Sequence, residues 1–248
     1  MTVTIGDCKA VLAAMPANSV DSVVTDPPYE LGFMGRAWDS TGIAYDVELW
    51  QLVRRVMKPG AHLLSFAHAR TYHRIACAIE DAKLEIRDQV MWVYGSGFPK
   101  SADVSKGIDK LAGVKHPKTF VTNNKNKVYG AGMGGSHDYA RPAPVTDDAA
   151  KWLGWGTALK PAHEPIALAR KAPGQSVARS VLEHGTGGIN VDGCRVDGGE
   201  RPKLVGTVPG SVRDGAVYGA GYGGSKAAGT TTEGRWPANL IVGQGALR

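Results

Sequence analysis

Cysteine is scarce in this chain: Cys8, Cys77 and Cys194 are far apart in sequence and odd in number. That excludes a disulfide framework and argues against a structural zinc site, and it fits a reducing cytoplasm. Long hydrophobic runs are missing as well, for none approaches the roughly 18 residues that a membrane-crossing helix needs. The opening MTVTIGD lacks a basic segment followed by an apolar one, so no secretory leader is expected. Seven histidines are present, but none forms a His-Glu-x-x-His pattern, and His68 and His73 lie five apart at a strand–helix junction. No metal centre is expected.

Glycine, by contrast, is plentiful. The 248 residues include 33 glycines, about twice the usual share of roughly 7%. An apolar content of 43% is enough for a core, and the length suits one large domain or a domain with an insertion. The net charge of +6 is unevenly placed. Residues 1–99 carry a balance of −2. Residues 100–127 carry Lys100, Lys106, Lys110, Lys115, Lys118, Lys125 and Lys127 against Asp103 and Asp109, a balance of +5. A basic block beside a near-neutral body suggests a polyanion partner. A solvated lysine-rich loop is the other reading that charge alone leaves open.

The β-branched run at 20–25, VDSVVT, predicts a strand. Residues 3–7 predict a shorter one, followed by a helix over 8–15 that Pro16 stops. In "YDVELWQLVRRVMKPG", Val47, Leu49, Trp50, Val53, Val56 and Met57 recur at helical spacing, and Pro59-Gly60 ends the pattern. "AHLLSFAH" predicts a strand and "ARTYHRIACAIEDA" a helix, with Tyr72, Ile75, Ala76 and Ile79 on one face; "EIRDQVMWVYG" predicts another strand. Strand and helix alternate four times within 95 residues, which predicts an α/β class with a parallel, doubly wound sheet.

The pattern breaks at Gly95. Residues 95–150 show little apolar periodicity, "HEPIALARK" (163–171) predicts the next strand, and 172–248 is again glycine-rich. The expected division is 1–94 as the first part of a core, 95–160 as a basic insertion, and 161–248 as a returning core strand with a glycine-rich segment. "VYGAGMGGS" (128–136) and "VYGAGYGGS" (217–225) match at eight of nine positions, and each contains Gly-x-Gly-x-x-Gly. Polar residues flank both copies, where a dinucleotide loop needs a strand before and a helix after. They read as flexible glycine loops.

The chemistry concentrates where the 20–25 strand ends. In an open parallel sheet, ligands sit at the carboxyl ends of the strands. Asp26 stands at such an end, and Pro27 and Pro28 then remove two backbone donors. The site offers acceptors only: the Asp26 carboxylate and the Pro27 carbonyl. The matching ligand is a donor with two hydrogens, such as an exocyclic amine. Accepting both hydrogens frees the nitrogen lone pair for attack. Tyr29 adds a ring face on which a planar base can stack. The alternative is that the quartet is a turn after a strand.

With these residues in place, the sequence resembles the DPPY amino-methyltransferases, which move methyl from S-adenosylmethionine to N6 of adenine or N4 of cytosine in DNA. "IGDCKAVLAAMPANSVDSVVTDPPYELGFMGRAWD" is similar to the opening of the permuted β-class members. "LWQLVRRVMKPGAHLLSFAHARTYHRIACAIEDAKLEIRDQVMWVYGSGFPKS", "GWGTALKPAHEPIALARK" and "EGRWPANLIV" are similar to segments of phage and prophage members. The resemblance implies a Rossmann-like methyltransferase sheet and S-adenosylmethionine as cofactor. It implies that Asp26, Pro27 and Tyr29 hold a base flipped out of the duplex, with Pro28 shaping the loop. It implies Asp7 and the Cys8 backbone at the cofactor's adenine, with Phe33, Trp38 and Trp92 as pocket candidates or core aromatics. The lysine block becomes a DNA-recognition part. The aspartate form of the quartet favours adenine over cytosine.

The family's Phe-x-Gly-x-Gly loop and His-Pro-Thr-x-Lys-Pro motif have no match in residues 1–248. By the resemblance, the first two strands of the sheet belong with that loop, between residues 3–6 and 20–25. The expected sheet is therefore permuted and incomplete, with an open edge. Truncation is the expected cause, with a homodimer or a complementing chain as other covers for the edge. Activity of this chain alone is expected to be weak or absent, and an inactive DNA-binding remnant is the alternative.

Overall fold

A computed structural model of the chain describes residues 2–32, 37–95, 97, 101–116, 143–205 and 226–243. Helix α1 (Cys8–Ala14) starts where the Asp7 carboxylate accepts from the Ala10 amide. Strand β1 (Val20–Thr25) follows. Helix α2 (Val47–Val56) is capped by Asp46 and buries Leu49, Trp50, Val53 and Val56 at helical spacing. It runs beside α1 and is pinned at both ends. Lys9 pairs with Asp46 and Glu48 at one end, and Arg55 donates to the carbonyls of Leu12, Ala13 and Met15 at the other. Strand β2 (Met57–Phe66) leaves α2 without a break. Pro59 and Gly60, expected to separate helix from strand, lie inside it, where a register shift between Val20 and Ser22 of β1 absorbs them.

Helix α3 (Tyr72–Asp81) buries Ile75, Ala78 and Ile79, and β3 (Leu84–Val93) follows it. Helices α4 (Val104–Leu111) and α5 (Asp147–Lys151) precede β4 (His163–Lys171). Helix α6 (Val177–His184), the hairpin of β5 (Arg201–Val205) and β6 (Lys226–Thr231), and β7 (Leu240–Val242) complete the order.

The main sheet runs β1-β2-β4-β3-β7. Pairs β1/β2 and β3/β7 are parallel; β4 lies antiparallel to both β2 and β3. The α/β class is as expected, and the parallel expectation needs one correction. The chain leaves the sheet at the end of β3 and returns at that same edge, so β4 has to run back. Trp50, Leu63, Ile75, Ile79, Ala167 and Ala169 share one core, which joins α2 and α3 to the sheet.

The strand expected at 3–7 is not formed. Val3 and Ile5 are 73% and 95% exposed, and no strand among the described residues pairs with this segment. A strand without a neighbour has nothing to satisfy its backbone groups. For the same reason β1 has an open edge: its one partner among the described residues is β2.

The stretch 95–160 holds more order than its composition suggested. Residues 101–103 run against 155–158 as a neck. The Ser101 hydroxyl accepts from the Thr157 and Ala158 amides, and the Val104 amide donates to Trp155 O. A Cβ on Gly97 would stand 1.7 Å from the Pro161 carbonyl oxygen, so the two chains pass here only because residue 97 is glycine. Above the neck, α4 and α5 close around Asp109, which is fully buried. Its carboxylate accepts from the Val145 and Thr146 amides, the Thr146 hydroxyl and His116 Nε2 at 2.8–2.9 Å. The helical pattern of α4 escaped the sequence because its buried face carries Ser105 and Asp109 rather than large apolar side chains.

Candidate active site

The site lies where β1, β2 and β3 end and β4 begins. β1 stops at Thr25, and Asp26 follows with an exposed side chain. The chain then turns sharply: Glu30 sits at φ 55°, in the left-handed region that a non-glycine residue occupies at a cost. Two carboxylates hold that turn. Asp39, 2% exposed, accepts from the Glu30 and Leu31 amides at 3.0 and 3.2 Å. Glu30 in turn accepts from the Gly42 amide at 2.8 Å and the Thr41 hydroxyl at 3.3 Å. The loop after the quartet is thereby folded back on itself, and Tyr29 is aimed along the sheet edge.

There Tyr29 meets side chains from two other strands. Its hydroxyl donates to Glu164 Oε2 of β4 at 3.3 Å, and its ring lies 6.3 Å from that of His68, just beyond β2. Glu164 stands opposite Trp92 in the β3/β4 ladder, near enough to Tyr94 to raise that tyrosine's pKa, which burial raises first. Trp92 packs edge-on against Phe66 and Tyr94, with centroids 6.1 and 6.2 Å apart. Four strand ends thus contribute to one acidic, aromatic-lined patch. Burial raises the pKa of Tyr29, and the carboxylates of Asp26 and Glu164 raise it further. Burial also raises Glu164; the Asp26 charge adds to this, while the Tyr29 and Tyr94 hydroxyls oppose it.

The expected site residues divide into groups. Asp26, Pro27, Pro28 and Tyr29 stand together at the end of β1. Trp92 joins the aromatic row beside them, 39% exposed. Trp38 is 58% exposed in a short turn. Asp7 caps α1, which uses one of its carboxylate oxygens, and Cys8 is the first residue of that helix, exposed. Helices α1 and α2 run parallel to each other and return into β1 and β2, so their N-termini, with Asp7, stand at the edge that carries Asp26. Lys106 and Lys110 are exposed on α4, and Lys115 is exposed just after it. Lys100, Lys118, Lys125, Lys127 and Phe33, like both glycine-rich copies, lie outside the described residues.

Glu164, Tyr94 and Asp39 were not singled out from the sequence, and His68 was named only in setting aside a metal centre. Glu164 had a signal: a carboxylate opening an apolar strand, directly before a buried proline. Asp39 had none, because its role depends on a loop closing over nine residues. Among the described residues no cluster of His, Cys, Asp and Glu could hold a metal ion, and no helix is long and apolar enough to cross a membrane.

The family model described as DNA methylase matches residues 20–180 of this chain. The chain belongs to this DNA methylase family. Among curated proteins it is similar to the Type II methyltransferase M.HpaI of Haemophilus parainfluenzae, at 29% identity over 119 residues, 45% of this chain and 38% of that one. It is also similar to YubD of Escherichia coli (strain K12), described as a methylase, at 34% identity over 87 residues, 33% of this chain and 37% of that one. The chain thus spans under two fifths of the length of either relative. A solved structure from Thermus thermophilus, described as a DNA modification methylase complexed with S-adenosyl-L-methionine, is 17% identical. The match covers 68% of this chain and 52% of that one, with a TM-score of 0.35.

Proposed function

We propose that this chain carries the base-binding part of a DNA methyltransferase that moves methyl from S-adenosylmethionine to the N6 amine of a flipped adenine. The observation that carries the reading is the end of β1: Asp26 exposed at the sheet edge, two prolines without donors, and Tyr29 held beside it. The Asp26 carboxylate and the Pro27 carbonyl accept the two amine hydrogens, and Tyr29 stacks on the base. S-adenosylmethionine, when bound, would supply the methyl group: the nitrogen lone pair would take the methyl carbon, the sulfur would leave as the thioether S-adenosylhomocysteine, and the surplus amine proton would pass to solvent. Positioning supplies most of the rate, with acceptors aimed at the charge that develops on nitrogen. Asp7 and the Cys8 backbone hold the adenine of the cofactor. The lysines of residues 100–127 track the DNA backbone, and the insertion is the recognition part.

The N4 amine of cytosine presents the same two hydrogens, so the same acceptors serve it. The basic block of residues 100–127 supports a second reading, a DNA-binding remnant that turns over weakly or not at all by itself. Calorimetry with S-adenosylmethionine and transfer of tritiated methyl to duplex DNA test the first. We expect measurable binding and label in the base fraction that Asp26→Ala lowers by on the order of 100-fold. Mass analysis of the digested DNA separates N6-methyladenine from N4-methylcytosine. DNA binding without cofactor binding or label would overturn the enzyme reading and establish the remnant.

A further inference from the structure

The Tyr29 hydroxyl is set between two acids. It donates to Glu164 Oε2 at 3.3 Å, and the Asp26 carboxylate, three residues before it, is near enough to raise its pKa. A phenol has one hydrogen to give, so the two acids compete for it. The outcome matters to Asp26: a carboxylate that accepts from Tyr29 has less acceptor capacity left for an amine. Glu164 comes from β4, two strands along the sheet from β1, fixed by its place in the ladder opposite Trp92. The groups around this carboxylate are therefore Asp26 and Tyr29 after β1, His68 after β2 at the Tyr29 ring, Tyr94 after β3, and His163 beside it in β4.

We propose that Glu164 is a positioning residue for methyl transfer: by taking the hydroxyl hydrogen of Tyr29, it leaves the acceptor sites of Asp26 to the substrate amine. The inference rests on the methyltransferase reading above. It gives the tyrosine hydroxyl a task beyond stacking. The ring supports the base, and the hydroxyl, turned toward β4, stays off Asp26. It also joins β4 to the chemistry, although β4 follows the insertion in sequence and carries no residue of the quartet.

Transfer to DNA is to be measured for the wild type, Glu164→Gln, Tyr29→Phe and the double variant. Glu164→Gln keeps the shape but loses the charge that draws the hydroxyl. It is expected to lower kcat about tenfold, with the KM for DNA nearly unchanged. In the Tyr29→Phe background the same substitution is expected to cost less than about twofold, since no hydroxyl hydrogen remains to be misdirected. Equal losses in both backgrounds would overturn the proposal. A second readout needs no turnover. In protein carrying isotope-labelled tyrosine, the Cζ signal of Tyr29, identified by its loss in Tyr29→Phe, reports which acid receives the hydrogen. Glu164→Gln should move it and Asp26→Asn should not; the reverse ranking sinks the assignment. Absence of transfer in every protein, with the expected ranking intact, refutes the methyltransferase reading and supports Glu164 as the acceptor.

Discussion

At the scale of single residues, the site sets ionisable groups against one another. Glu164 is half-buried beside Asp26, and both burial and that neighbour raise its pKa. Its protonated form is therefore the one the fold favours. This contribution to stability is complete below the ordinary carboxylate range and is lost as pH rises through the raised value. Glu164→Gln removes the ionisation. The variant should therefore unfold at a higher temperature than the wild type near neutral pH, and the gap should close as the pH falls toward about 4. Thermal melts across that range check this. A gain in stability alongside a loss in transfer would be the familiar cost of holding charge in a working site. Glu30 tells a similar story in the backbone: its left-handed φ persists because Asp39 and the Gly42 amide leave the turn no better alternative.

At the scale of elements, two joints hold the parts in place. The first docks α6 on β2. Pro59 O accepts from the Ser180 and Thr186 hydroxyls at 3.1 and 2.5 Å, and Gly60, at φ 81°, lies against Ser180 and Gly187. A Cβ at residue 60 would meet Ser180 Oγ at 2.7 Å and Thr186 O at 3.1 Å. Gly60→Ala should cost on the order of 2 kcal/mol from the backbone conformation and the crowding together. Urea unfolding measures it. The second joint is Asp109. Burial pushes its pKa up, but the Val145 and Thr146 amides, the Thr146 hydroxyl and His116 outweigh burial and hold it lowered to about 2. Its contribution is therefore present above the ordinary aspartate pKa and is lost as pH falls toward about 2. Asp109→Asn should unfold at a lower temperature by the same margin from about pH 7 to about pH 5, and the margin should shrink below about pH 4.

At the scale of the whole molecule, charge and edge decide how the chain meets its surroundings. The net charge of +6 is concentrated in residues 100–127, and α4 and α5 lie between the end of β3 and the start of β4, the strand ends that also carry Tyr94 and Glu164. A duplex lying along the lysines would bring its bases toward those strand ends. If Lys106, Lys110 and Lys115 each neutralise a phosphate, replacing each by Gln should reduce the slope of log K against log salt by about 1. Titrations with duplex DNA at several salt concentrations give that slope. The open edge of β1 exposes Val24 to 68%, beside backbone groups without a strand partner among the described residues. Such an edge invites pairing with another strand.

Local pattern was enough to specify several pieces. The β-branched run of 20–25, the apolar stripes of α2 and α3 and the apolar run of β4 each carry their own period, so their strands and helices were legible. The quartet stands out as a candidate because its chemistry is contiguous: a carboxylate, two residues without donors and a ring. Periodicity speaks only of neighbours along the chain, however. It could not reveal that residues 3–7 have no strand to pair with among the described residues, or that β4 enters between β2 and β3 and runs backwards. Nor could it bring Glu164 to Tyr29 across 135 residues, or Asp39 to the amides of Glu30 and Leu31. The sequence by itself determined that a carboxylate, two prolines and a ring follow directly on the 20–25 strand. Tertiary structure alone decided which acid receives the tyrosine hydrogen, because that choice depends on distances between strand ends that only the closed sheet creates.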